Sequence, residues 1–469
     1  MLARHSLTHA TLGALGAALL FAAPLAAQNA TPPAPPPDTP PATAAATADS
    51  TATPAKVTAS MLAPAIEIQH LRPADQRGLL MFEAPKETTV PFTGFKLNWG
   101  AAFTQQFQAL DHQNTAAERL VGGTDRNQLA DLGNGFNTAA ANLSLNAQVA
   151  PGIRVALTSY LSSRHHNETW VKDGYLLVDA SPIDLAPLHT LMQYVTIKAG
   201  HFEINYGDAH FRRSDNGNAM YNPFVGNLIM DAFTTQIGGE VYVRAHGLLA
   251  MGAITGGEVK GQVRNPGSRS PAYYGKVGMD RQVSEQLRVR LTGSAFGQAK
   301  AANQTLYSGD RAGSRYYSVL DSTLSTEAAQ AWSGSINPGF RKVQAFMLNP
   351  FVKYQGVELF GTLERSKGRN ATETTDRTWT HYAGEALYRF APREQLYVGG
   401  RYNVATGKLA GLPAAVSMDR AQFAAGWFLT PIVLLKGEYV IQKYHDFPTA
   451  DIRNGGQFKG FVVEGTVAF

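Results

Sequence analysis

The stretch that decides the fold is Phe461-Val462-Val463-Glu464-Gly465-Thr466-Val467-Ala468-Phe469. Its odd-numbered positions are mostly apolar, whereas its even-numbered positions include Glu464 and Thr466. Successive side chains of a β-strand point to opposite faces, so this alternation predicts a strand with one apolar and one more polar face. The stretch alone would also fit an ordinary amphipathic strand. The stretch is informative about the fold because the rest of the chain repeats the pattern.

From Phe95 onward the same alternation recurs in about sixteen strand-like runs. In one of them, Arg154 falls between Ile153 and Val155 and therefore on the opposite face. The predicted strands cover 95–110, 136–149, 152–165, 169–180, 192–206, 234–245, 247–258, 272–283, 286–299, 343–355, 357–367, 378–390, 394–406, 419–430, 432–445 and 458–469.

The connections between these runs alternate between tight and long. The tight ones include 150–152, 355–356 and 430–431, whereas the long ones include 111–135 and 207–233. Transmembrane barrels combine short periplasmic turns with longer extracellular loops. The alternation therefore predicts a barrel whose strands cross a membrane and whose two ends lie on the periplasmic side.

Charged residues at inward positions distinguish a membrane barrel from a soluble one. Burying many charges in a dry core costs several kcal/mol each, whereas a water-filled lumen keeps them hydrated. We therefore predict an all-β protein, a transmembrane antiparallel β-barrel of about sixteen strands over residues 91–469, wide enough for an aqueous channel. The residues predicted to line that pore are Arg154, Lys198, Glu240, Arg244, Lys276, Arg288, Arg290, Lys353, Arg389, Arg401 and Lys436.

Aromatic residues near the strand ends fit the girdles that such barrels place at the membrane interfaces. Aromatic residues favour any strand, however, so a general strand preference is the alternative. The girdle candidates are Trp99, Tyr160, Tyr206, Tyr242, Tyr354, Tyr388, Trp427, Tyr439 and Phe469.

The region before the barrel divides into three segments. Residues 1–27 combine Arg4, an apolar run and small residues up to Ala27, which predicts a secretory signal peptide. Residues 28–58 are rich in Pro, Ala and Thr and predict a disordered periplasmic linker. Residues 59–90 predict a short periplasmic or plug-like segment.

Composition argues against several classes of function. The chain has no cysteine, which removes disulfides and thiolate chemistry. Its net charge of +5 comes without a dense Lys/Arg block, so no nucleic-acid partner is expected. Neither a Gly-x-Ser-x-Gly elbow nor a phosphate-binding loop is present, and His165 and His166 are adjacent on a strand end, where they point apart. We expect no catalytic residues, no metal site and no cofactor.

In these features the chain resembles the Gram-negative outer-membrane porins, over roughly residues 90–469. The terminal strand resembles the assembly signature of outer-membrane barrels, carried here by Phe461, Val463, Val467 and Phe469. The stretch 198–207 also resembles a strand of phosphate-selective porins, with His201 where Arg is usual. The dense arginine ladder that phosphate selectivity would imply is absent.

The resemblance implies a location in the outer membrane of a Gram-negative bacterium and passive diffusion of small hydrophilic solutes or ions. It also implies contacts with outer-membrane lipid and the barrel-assembly machinery, and a homotrimer. Two other classes stay open, because a fold does not determine a function. One is an outer-membrane barrel enzyme of the lipase type, and the other is a structural or adhesive barrel.

The long connection 208–233 is the candidate pore constriction. In similar porins the third long loop folds into the barrel, where Arg212 and Arg213 would face Asp208 and Asp215, with His210 beside them. The alternative is a solvated outer loop with an incidental charge cluster. Lys and Arg outnumber Asp and Glu on the predicted inner faces, which favours a mild preference for anions.

Overall fold

The protein is described by a computed structural model over residues 63, 65–86, 90–163, 168–258, 263, 265–309, 317–323 and 334–469. The predicted signal peptide (1–27) and linker (28–58) lie outside these residues, as does part of the predicted segment 59–90. Within the described ranges, no helix is long and apolar enough to cross a membrane.

Sixteen described strands close into one antiparallel barrel, in which each strand pairs with its chain neighbours and the first pairs with the last. The predicted fold class and strand number are confirmed. A small hairpin, β2 with β3, lies outside this sheet. The strands are β1 (Lys96–Gln113), β2 (Leu120–Val121), β3 (Thr124–Asp125), β4 (Gly135–Ala150), β5 (Ile153–Ser162), β6 (Trp170–Val178), β7 (Val195–Glu203), β8 (Thr235–Ala245), β9 (Leu248–Thr255), β10 (Ala272–Gln282), β11 (Leu287–Gln298), β12 (Lys342–Tyr354), β13 (Val357–Arg369), β14 (Arg377–Phe390), β15 (Leu396–Gly407), β16 (Val416–Thr430), β17 (Val433–His445) and β18 (Gln457–Ala468).

Among the described residues, helical structure is confined to short segments. One α-helix, α1 (Ala186–Met192), lies between β6 and β7, with Pro187 in its first turn, where a missing N–H is tolerated. Single 3₁₀ turns cover Gln76–Gly78, Ala209–Arg212 and Pro266–Ser268. The second of these turns belongs to the predicted constriction.

The barrel is apolar outside and polar inside. Along β18, Phe461 and Val463 are 61% and 44% exposed, whereas Glu464 and Thr466 are 0% and 1% exposed. Large apolar side chains are exposed on the outer face of most strands. This polarity is that of an outer-membrane-type barrel, whose outer wall contacts lipid.

Seven of the nine aromatic candidates are either exposed or buried, and Tyr439 and Phe469 are partly exposed. Trp99, Tyr354, Tyr388 and Trp427 are half exposed or more, as interface residues should be. The prediction is wrong for three others, whose side chains are buried inside the barrel. Each of these hydroxyls donates to a carboxylate there, which gives the polar end of the ring a partner that lipid lacks: Tyr160 to Asp215, Tyr206 to Glu364 and Tyr242 to Glu240.

Loops fill much of the lumen, which differs from the expected open channel. Residues 204–234, which connect β7 to β8 and are called the inner loop here, are buried almost throughout. Parts of 301–340 also fold inward, where Leu306 and Tyr317 pack against the inner wall. Strand periodicity contains no information about apolar residues in loops, so the sequence pattern did not predict this filling.

Candidate functional site

The inner loop lies against the wall formed by β1 and β4. A Cβ atom on Gly217 would lie 2.5 Å from the carbonyl oxygen of Ala102 and from Cα of Ala141, so only glycine fits there. The side chain of Asn142 accepts a hydrogen bond from the Gly217 amide at 2.8 Å and donates to the Asp215 carbonyl at 2.9 Å. Backbone contact and side-chain bonds together hold the tip of the loop on the wall.

At the start of the inner loop, Asp208 belongs to a buried group of charges that we call the central ion cluster. Lys276 and Arg290 of the wall contact Asp208 at 2.9 Å and 2.8 Å. The same two cations contact Glu83, from the region before the barrel, at 3.2 Å and 2.7 Å. The hydroxyl of Thr292 donates a further bond to Asp208 at 2.7 Å. Two carboxylates thus share two cations.

Charge pairing determines the ionisation of both carboxyl groups. Burial by itself would raise the pKa of Glu83, but the charges of Lys276 and Arg290 outweigh burial and lower this pKa to about 2. For Asp208, burial is likewise outweighed by Lys276 and Arg290, and its pKa lies below the usual range. Both groups are therefore carboxylates at neutral pH.

Arg212 does not face Asp208, contrary to the expected arrangement. Its guanidinium contacts Glu358 at 2.5 Å and Glu385 at 3.0 Å. Arg389 and Arg401 contact the same two carboxylates at 2.9 Å and 2.8 Å. The wall supplies two carboxylates that alternate with its arginines, so Arg212 is paired there and does not face Asp208 across the lumen.

Arg213 and Asp215 do lie near each other. Their closest charged atoms are 3.5 Å apart, and Arg213 also contacts Asp231 at 2.7 Å. Asp215 in turn contacts Lys172 on β6. The remaining candidate, His210, has Nδ1 2.6 Å from Glu203. The five predicted constriction residues thus lie in one inserted loop but divide among separate ion pairs.

The structure places the eleven predicted pore-lining residues on the inner side of the strands. Most of these side chains contact inserted segments or wall carboxylates, whereas an open channel would leave them in water. Lys436, for example, contacts Glu464 at 2.9 Å and the inner-loop carbonyl of Asn222 at 2.7 Å. Lys353 contacts Glu394 at 2.6 Å near the periplasmic end.

Four partners in this network were not found from the sequence, namely Glu83, Lys172, Glu203 and Asp231. Lys172 was missed because the pairing of β5 with β6 shifts at a bulge beside Thr158, where two-residue alternation fails. The others lie outside a strand or at the end of one, where alternation does not assign a face.

Residues 65–86, called the N-terminal segment here, dock inside the barrel. Phe82 packs edge-on against Phe211 of the inner loop and Phe351 of the wall, with ring centroids 5.8 Å and 5.4 Å apart. The guanidinium of Arg72 lies 3.6 Å above the Tyr221 ring. The ammonium of Lys86 donates to three backbone carbonyls near the periplasmic turn between β6 and β7.

A cavity of about 340 Å³, lined by both apolar and charged side chains, remains between the N-terminal segment, the inner loop and the wall of β1 and β4–β8. We call it the lateral cavity. Arg154 lines it, with Nη1 2.8 Å from the Asn146 side chain and the guanidinium 5.9 Å from the Tyr175 ring centre. The charged residues of its lining are Arg72, Arg154, Lys172, Lys198, Arg213 and Arg244, with Glu83, Asp173, Asp179, Glu203 and Asp215.

Opposite charges in this lining are nearly balanced and largely paired, so the cavity can accommodate small polar solutes of either sign. In the described part of the chain, no three His, Cys, Asp or Glu side chains come together to hold a metal ion. His165 and His166 lie outside the described residues.

No family model matches the sequence and no curated protein matches it. Among solved structures, the chain is similar to an anion-selective porin from Comamonas acidovorans, with 12% identity, 80% of this chain and 100% of that chain covered, and a TM-score of 0.49. The trimer form of OmpT, an outer membrane protein of Vibrio cholerae, shows 9% identity over 80% and 100% of the chains, at 0.47. The outer membrane channel DcaP of Acinetobacter baumannii shows 9% identity over 80% and 98%, at 0.46. At these identities the similarity concerns the barrel fold alone.

Proposed function

We propose that the protein is a channel in the outer membrane of a Gram-negative bacterium, through which small hydrophilic solutes or ions diffuse passively. The lateral cavity is the observation that carries this proposal. A lipid-facing barrel encloses a space with many charged side chains in its lining, and such side chains suit hydrated solutes. The inner loop and the N-terminal segment keep this path narrow, and the N-terminal segment acts as a plug.

The selectivity we propose is a mild preference for anions. The lining of the lateral cavity carries six Lys or Arg residues against five Asp or Glu residues, a small excess of positive charge. Arg154 supports this sign, because its described contacts are an amide oxygen and an aromatic ring, with no carboxylate within ion-pair distance. We also propose a homotrimer, and recognition of the outward residues Phe461, Val463, Val467 and Phe469 by the assembly machinery.

A lipase-type function is the second candidate, because one Ser/His/Asp group lies on the outer face. Ser417 pairs directly across from His445, whose Nε2 contacts Asp419. The Ser417 hydroxyl, however, lies 3.0 Å from the Thr406 hydroxyl and has no described bond to His445. A nucleophile needs its base within hydrogen-bond reach, so the channel is the better-supported function.

The test is electrical recording of purified protein in planar lipid bilayers. We expect stepwise ohmic conductance, and a reversal potential in a salt gradient that favours anions. Arg213→Gln removes a cation from the cavity lining, and we expect the anion-to-cation permeability ratio to fall about twofold. Arg281→Gln is the control, because this arginine is exposed at the periplasmic end of β10.

Absence of conductance over many insertions would overturn the channel. If the silent protein also hydrolysed lipid, and Ser417→Ala abolished hydrolysis, the second candidate would replace it. Equal reversal potentials for Arg213→Gln and wild type would remove the inner loop from the selectivity filter and leave conduction itself unaffected.

A further inference from the structure

Basic side chains project from the outer face of the barrel where β12 and β13 meet the long connections, which is the extracellular level. Arg365 and Lys367 follow Leu363 on the same outward face of β13, and all three are exposed. Arg369 follows on the same face at the end of β13, and Lys342 of β12 lies directly across from it. We call these four cations the basic ladder.

Among the described residues, a single carboxylate contacts the basic ladder. Asp376 contacts Lys342 at 3.0 Å and Arg369 at 3.4 Å. The hydrogen bond from Lys342, together with the charges of Lys342, Arg369 and Lys367, lowers the pKa of Asp376. In the described part of the chain, Arg365 and Lys367 form no ion pair with a carboxylate. Two of the four cations thus share one carboxylate and the other two have none, which leaves the ladder with a net positive charge.

Other outward lysines near the extracellular ends of strands are differently placed. Lys443 lies directly across from Asp419, and Lys459 lies directly across from Asp111. Cross-strand neighbours of opposite charge neutralise each other. The neighbours of Arg365 are a phenylalanine and a threonine. An unneutralised basic cluster at this level attracts an anionic headgroup.

An apolar groove runs beside the basic ladder on the same outer surface. It is open, encloses about 660 Å³, and has Arg365 in its lining. Gly275, Gly293 and Ala295 line it and carry little or no side chain, and the ring of Phe346 lines it as well. Strand pairing aligns Gly275, Ala295, Phe346 and Arg365 in one row across four strands. A groove that faces lipid and ends at a cation matches an acyl chain joined to an anionic headgroup.

We propose that the basic ladder and this groove together bind one phosphorylated lipid of the outer leaflet. A headgroup phosphate lies on Arg365 and Lys367, and an acyl chain lies along Gly293. The planar guanidinium of arginine matches a phosphate in two-bond geometry, and lysine adds a point charge beside it. The site is on the outer wall, so it is independent of conduction through the lumen.

Lipid titration by native mass spectrometry tests the site on the full protein in detergent. The probes are bisphosphorylated lipid A and the same glycolipid without its phosphates. Relative to wild type, we expect R365Q/K367Q to bind the phosphorylated probe about tenfold more weakly. G293F fills the groove and should weaken binding of both probes. K443Q/K459Q removes the same charge from the same level elsewhere on the barrel, and its binding should match wild type.

Equal affinity of wild type and R365Q/K367Q for the phosphorylated probe would overturn the site, and so would equal affinity of wild type for the two probes. A change in oligomeric state of R365Q/K367Q, with lipid binding unchanged, would assign this face to a second copy of the chain and also overturn it. Unchanged single-channel conductance and circular dichroism of each variant show that the barrel is intact. Failure of this proposal and failure of the channel proposal are therefore separate results.

Discussion

The lumen contains two regions that the same strands build in different ways. At the extracellular ends, the inner face of β12 carries Val343, Ala345 and Met347, which are buried against apolar loop residues. Toward the middle, the same face presents Asn349, and toward the periplasmic end it presents Phe351 and Lys353. One strand face thus changes from an apolar core to a mixed wall that includes polar and charged residues within a single crossing.

The two regions hold their inserted loops by different forces. In the apolar region, contact is non-directional and depends on area removed from water. In the central ion cluster, contact depends on paired charges whose loss leaves a buried partner uncompensated. The polarity inside this barrel therefore varies with depth, and the inserted segments place apolar residues against the apolar region and charged residues against the charged one.

Disruption of the central ion cluster should lower the free energy of unfolding more than any other change considered below. In Asp208→Ala, Lys276 and Arg290 lose their inner-loop carboxylate, and we expect the free energy of unfolding to fall by about 3–5 kcal/mol. Denaturant titration in detergent measures it. Glu285→Ala, at an exposed turn position, is the control and should change stability by less than about 0.5 kcal/mol. Similar losses in the two variants would show that the ion pairs do not stabilise the loop.

A substitution that creates a cavity in the apolar region should lower the free energy of unfolding slightly less. Ile229 is completely buried there. We expect Ile229→Ala to lower the free energy of unfolding by about 2–4 kcal/mol, because methyl groups leave a packed core and no charge is uncovered. Val398→Ala, on the exposed outer face of β15, is the matched control. An unchanged stability for Ile229→Ala would mean that the loop is not packed as a core, and a shifted reversal potential would mean that this region selects ions.

Release of the N-terminal segment should have the smallest effect on stability but a clear effect on conductance. Glu83→Gln removes one charge from the central ion cluster, so we expect larger single-channel conductance and faster trypsin cleavage after Arg77 at neutral pH. Glu67→Gln is the control, because Glu67 lies in the same segment and is exposed.

A measurement at pH 5 distinguishes a segment that is held by an ionised Glu83 from one that is released by protonation. The pKa of Glu83 is lowered to about 2 in the folded protein, so the stability from its ionisation is present above the ordinary carboxyl pKa. That stability begins to decline as the pH falls below the ordinary value and is fully lost only below about 2. We therefore expect the wild-type segment to stay docked at pH 5. Cleavage after Arg77 at pH 5 as fast as in Glu83→Gln would contradict the assigned ion pairs.

Much of the barrel could be predicted from local pattern. The alternation of Arg154 with Ile153 and Val155 gave the correct faces of β5, since strand geometry depends only on neighbouring residues. The same rule failed at Lys172, where a bulge changes the pairing with the neighbouring strand. Tyr160 lies on the same face of β5 as Arg154, so alternation places it inside, and only its assignment to an outer girdle was wrong.

By itself, the sequence determined the sixteen-strand barrel, the apolar outer wall and the inward charges, because a period of two residues is a local property. Only the tertiary structure decided that loops would fill the lumen and which charges would meet. The ion pair of Glu83 with Lys276 joins two residues far apart in the chain, and the two are brought together by barrel closure and by docking of the N-terminal segment. Pairing of that kind depends on position in space, which periodicity does not encode.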